Sequence, residues 1–71
     1  MKNMGELGAA VRRERKQMGV TQADLAMSAG TGLRFVVELE KGKPTVQAGK
    51  VLDVLQALGL RLEIRSRAED A

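Results

Sequence analysis

Apolar residues recur at helical spacing from the start of the chain. Met4, Leu7, Val11 and Met18 share one stripe of a helical wheel, and Gly19 follows, so the pattern predicts a helix over 4–18. Thr21 is placed to accept the orphan N–H groups of a second helix over 22–29, with Asp24 in its first turn and Gly30 at its end. Thr31 is placed to cap a third helix over 33–41, which stops before Gly42 and Pro44. Thr45 opens the next element, and Val51, Leu52, Leu55 and Leu58 predict a fourth helix over 46–58, closed by Gly59. Beyond Gly59 the period changes to two: Leu60, Leu62 and Ile64 alternate with Arg61, Glu63 and Arg65, which is a strand signal over 60–65. The pattern reads as one domain over 1–65 and a polar, disordered tail over 66–71.

A lone strand leaves its backbone groups unpaired, and no second strand signal exists in the chain. The economical partner is another copy of the same chain across a two-fold axis, with Leu58, Leu60, Leu62 and Ile64 as the expected dimer interface. The other reading is that 60–65 extends the fourth helix or lies flat on the core. Composition bears on this choice. A chain of 71 residues supports one small domain with a thin stability margin, and it has neither Cys nor His. Disulfides are excluded and no metal is expected, so oligomerisation is the support left to it.

The same absences remove the imidazole base, the thiolate and the serine triad, and the carboxylates form no paired motif, so the chain reads as no enzyme and as needing no cofactor. One Phe with no Trp or Tyr argues against a base-stacking reader of single strands. No apolar run approaches the roughly 18 residues of a membrane span. No membrane partner is therefore expected and the protein reads as cytoplasmic. The net charge of +3 sits entirely in residues 1–16, which hold five basic and two acidic side chains; the remainder balances at seven against seven. A local basic excess suits a nucleic-acid partner, but Arg12, Arg13 and Lys16 also fall opposite the apolar stripe and read equally as a solvated face.

The most specific signal lies in the second and third helices. Gln22, Leu25, Ala26, Ala29, Gly30, Val36 and Leu39 stand at the offsets of a DNA-binding helix-turn-helix unit. Ala26 lets the helices approach, Gly30 supplies the turn, and Leu25, Val36 and Leu39 fill the seam. On residues 19–26 (GVTQADLA), 34–45 (RFVVELEKGKPT) and 51–64 (VLDVLQALGLRLEI), the chain resembles the Xre-type helix-turn-helix family and, more narrowly, the HipB-like antitoxin repressors.

That resemblance implies an all-α, four-helix, lambda-repressor-like domain whose C-terminal strand pairs across a homodimer. It implies a repressor of double-stranded operator DNA, encoded beside a HipA-like kinase toxin that it neutralises. Carried onto this sequence, it places Gln22 against a phosphate and the third helix in the major groove, where Leu33, Arg34, Val37, Glu38 and Lys41 face outward with Thr31 ahead of them. Arg34 suits guanine and Glu38 suits cytosine, although the two are also spaced to pair with each other. Lys41 and Lys43 resemble phosphate clamps. Gly32 and Leu33 stand where many relatives carry polar side chains, so readout leans on a thymine methyl or on DNA shape. The family also implies an ion pair between Arg15 and Glu40, and Phe35 is expected in the core. The competing function is a protein-interaction module that holds a partner kinase without binding DNA, favoured by the outward Leu33 and the modest net charge.

Overall fold

The structure, a computed structural model, describes residues 2–67. Four helices follow in order: α1 (Met4–Met18), α2 (Gln22–Ala29), α3 (Leu33–Glu40) and α4 (Ala48–Ala57). The first two begin and end where local chemistry dictates. The Asn3 side chain accepts the Glu6 N–H at 3.0 Å. Thr21 and Asp24 form a reciprocal capping box, which satisfies two orphan donors and contributes about 1 kcal/mol. The turn between α2 and α3 depends on Gly30, whose φ of 74° is left-handed.

One helix is capped differently from the sequence expectation and another starts later than it. Thr31 does not cap α3: Gly32 is the N-cap and gives no side-chain hydrogen bond. Thr31 stands one position before that N-cap: its hydroxyl donates to the Gly32 carbonyl at 3.4 Å and its N–H closes α2, donating to the Ala26 carbonyl at 2.9 Å. The fourth helix starts at Ala48 after Gln47, because Val46 is instead packed, half-buried, against the core from outside the helix. Lys41, expected as the last residue of the third helix, is its C-cap.

Helix α2 packs on α3 and α4, and α1 packs on α3. Their shared core is Val11, Leu25, Ala26, Val36, Leu39, Val51, Val54, Leu55 and Leu58, with Phe35 half-buried against it. The α1–α3 crossing is close: a Cβ on Gly8 would stand 2.2 Å from the Leu39 carbonyl oxygen. Gly8 brings the amino-terminal half of α1 directly onto the last turn of α3.

The segment after Gly59 does not lengthen α4, which ends at Ala57. The predicted strand forms no ladder within the chain, since the described residues contain no strand to pair with it. Leu60 packs half-buried on the core, while Leu62 is 53% and Ile64 94% exposed. Leu58 is buried in the core of its own chain, because the α4 stripe of Val51, Val54 and Leu55 carries it inward. Of the tail expected to be disordered, residues 68–71 lie outside the described residues.

Candidate nucleic-acid interface

The surface carried by α2 and α3 is fixed from behind by a buried polar cluster. Arg15 is a core residue of α1, and its Nε donates to a Glu40 carboxylate oxygen at 2.7 Å while Nη2 donates to the other oxygen at 3.0 Å. Nη1 donates to the Val20 carbonyl at 2.9 Å. The Glu40 side chain is 3% exposed, so this bidentate, charge-assisted pair is shielded from water. The Glu40 hydrogen bond raises the Arg15 pKa above its usual value, against the lowering effect of burial. Gln22 joins the same cluster, donating through Nε2 to Glu40 at 3.1 Å. The residue read from sequence as a phosphate contact is thus also the link between the start of α2 and the end of α3.

Helix α3 has its inward face set by Val36 and Leu39. With these buried, the 3.6-residue period turns Leu33, Arg34 and Lys41 to solvent and leaves Val37 and Glu38 half-buried at the edge. Thr31 is half-buried ahead of the helix. The Arg34 side chain is 90% exposed and stands 3.6 Å from Glu38. Lys43 reaches back from the following loop to the same carboxylate at 3.1 Å. That hydrogen bond lowers the Glu38 pKa, outweighing desolvation, and the charges of Lys43 and Arg34 add to the lowering. Glu38 is therefore held ionised between two cations.

This geometry can do two things to a duplex. Arg34 has the exposure and planar donor set to read guanine, and its ion pair with Glu38 leaves the guanidinium exposed. Lys41 and Lys43 follow at the far end of the helix, where they fit backbone oxygens. Helical spacing puts Arg34 and Glu38 on one face but carries no signal for the Lys43–Glu38 contact, which depends on the loop turning back so that Lys43 N–H donates to the Glu38 carbonyl at 3.1 Å. The Gln22–Glu40 link likewise has no spacing signal. Among the described residues there is no cluster suited to a metal ion, and no helix is long and apolar enough to cross a membrane.

Comparison with known proteins agrees with this geometry. The helix-turn-helix family model HTH_3 matches residues 11–64, which include the whole α2–α3 unit. The chain is 51% identical over 69 residues to the uncharacterized HTH-type transcriptional regulator y4mF of Sinorhizobium fredii, covering 97% of this chain and 91% of that protein. Among solved structures, a chain from a HipA-HipB-O2-O3 complex superposes with a TM-score of 0.86 at 22% identity, each chain covered to 94%. A chain from a HipB-O4 20mer complex superposes at 0.85 with the same identity and coverage. At that identity the likeness is one of fold. The match over most of the chain and the close relative go further: the protein belongs to the Xre-type helix-turn-helix family.

Proposed function

We propose that this protein is a sequence-specific, double-stranded-DNA-binding transcriptional repressor that acts as a homodimer and serves as the antitoxin of a HipA-like kinase toxin. One observation carries the reading: α3 presents Arg34 almost fully exposed on a helix held in register by the Gly30 turn behind it and the Arg15–Glu40–Gln22 cluster beneath it. A rigid helix with an outward guanidinium is what base-edge readout in a major groove requires. The regulator name of the close relative supports transcriptional control, and the HipA-HipB complex that shares the fold motivates the antitoxin role. A dimer would read two half-sites spaced about 34 Å apart or a multiple of it, occluding a promoter.

Binding of the DNA upstream of its own gene, compared with a random-sequence duplex across a salt series, tests the proposal. The expected result is tighter binding to the upstream DNA, a steep loss of affinity with salt, and a loss of about 1–3 kcal/mol of discrimination in Arg34→Ala. No salt-dependent binding to either duplex would favour the protein-interaction reading instead. That reading has its own observation: Leu33 is half exposed on the same face, and Arg34, Glu38 and Lys43 already satisfy one another. Co-purification with a HipA-like kinase encoded beside it would support the antitoxin role.

A further inference from the structure

We propose that the Arg12–Lys16 face of α1 binds the sugar-phosphate backbone alongside the site read by α3, so that the duplex contact extends onto the first helix. This inference rests on the DNA-binding reading above. Arg12, Arg13 and Lys16 are exposed, and among the described residues none of them enters an ion pair, whereas Arg15, Arg34, Lys43, Arg61 and Arg65 do. The uncompensated charge lines a depression of about 600 Å³ formed by Ala9, Arg12, Arg13, Lys16, Gln17 and Glu40. Glu40 does not oppose an anion there, because its carboxylate is neutralised by Arg15.

Position decides what this depression is for. Gly5, Ala9, Arg12 and Lys16 follow at spacings of four, three and four, hence on one face of α1. At its amino-terminal end that face meets the loop carrying Lys41 and Lys43: a Cβ on Gly42 would stand 2.8 Å from the Gly5 Cα. Further along it borders Glu40, which holds Gln22 at the start of α2. The basic face thus joins the two groups of residues suited to phosphate contact. Its volume of about 600 Å³ far exceeds a single ion, and its basic residues follow one another along a helix face, which fits a linear polyanion. An acidic protein surface would satisfy the charge, but continuity with both phosphate-contacting groups favours the nucleic-acid backbone.

The test is the double variant Arg12→Gln, Lys16→Gln, titrated against a random-sequence duplex at several salt concentrations. Both side chains are exposed and unbonded, so its melting temperature and circular dichroism should match wild type. The slope of log K against log salt should fall in magnitude by about 2, close to one unit for each phosphate contact removed, with preference for the upstream DNA unchanged. Arg34→Ala should show the converse, lost preference with a smaller change in slope. An unchanged slope in the double variant, with wild type binding normally, would overturn this inference and leave the DNA-binding reading intact. Failure of wild type to bind any duplex would overturn both.

Discussion

Arg15 and Glu40 are two charges in a molecule with little apolar volume to spare, and their value lies in being kept together. The Glu40 carboxylate is nearly inaccessible to water and accepts from Arg15 twice and from Gln22 once. Removing the guanidinium leaves a desolvated anion with one neutral donor. Arg15→Ala should therefore destabilise the protein by ~3 kcal/mol, read as a large fall in melting temperature for a domain of this size. Removing both charges costs less than removing one, so Arg15→Met combined with Glu40→Leu should recover part of the loss. A melting temperature in Arg15→Ala equal to wild type would contradict a structural role for the pair.

At the scale of elements, the helix ends and the core stripe were legible because they are local. Thr21 with Asp24, Gly19 and Gly30 each announce a terminus within four residues of the groups they satisfy, whereas the Asn3 cap was not read. Thr31 misled because the N-cap falls on Gly32: a good capping residue stood one position too early, its N–H finishing α2 and its hydroxyl donating to the Gly32 carbonyl. The outward face of α3 followed from periodicity, while the Lys43–Glu38 and Gln22–Glu40 contacts required knowing how loops and neighbouring helices come together. Gly8 gave no signal at all, since a glycine inside a helix reads as a weakness, about 1 kcal/mol worse than alanine, unless the neighbour is seen. Here the neighbour is backbone, the Leu39 and Glu40 carbonyl groups. Gly8→Ala must push α1 off α3 and should cost about 1–3 kcal/mol in spite of better helix propensity. Gly49→Ala is the control: it lies in the first turn of α4 with nothing within 4 Å of the added methyl, and should stabilise by about 0.5 kcal/mol. Equal effects from the two in chemical denaturation would show that the α1–α3 crossing can relax.

The whole molecule has a different imbalance, between what the chain buries and what it leaves outside. Among the described residues nine apolar side chains fill the core, yet Leu52, Leu62 and Ile64 remain about half exposed or more. Leu62 lines an apolar groove of about 260 Å³ with Met4, Leu7, Val46, Ala48, Val51 and Leu52, so it supports its own chain as well as any neighbour. Ile64, 94% exposed, is the cleaner probe of the proposed homodimer because the single chain gives it nothing to pack against. If the segment around it pairs with a second copy, Ile64→Asp places a charge in that contact and leaves the monomer core untouched. Light scattering after size exclusion should then report a dimer for wild type and a monomer for the variant. The thermal midpoint of wild type should rise with protein concentration, as mass action demands of a coupled dimer, whereas that of the variant should not. Identical masses for the two proteins, or a wild type that is monomeric throughout, would remove the dimer and with it the paired half-site geometry proposed for DNA recognition.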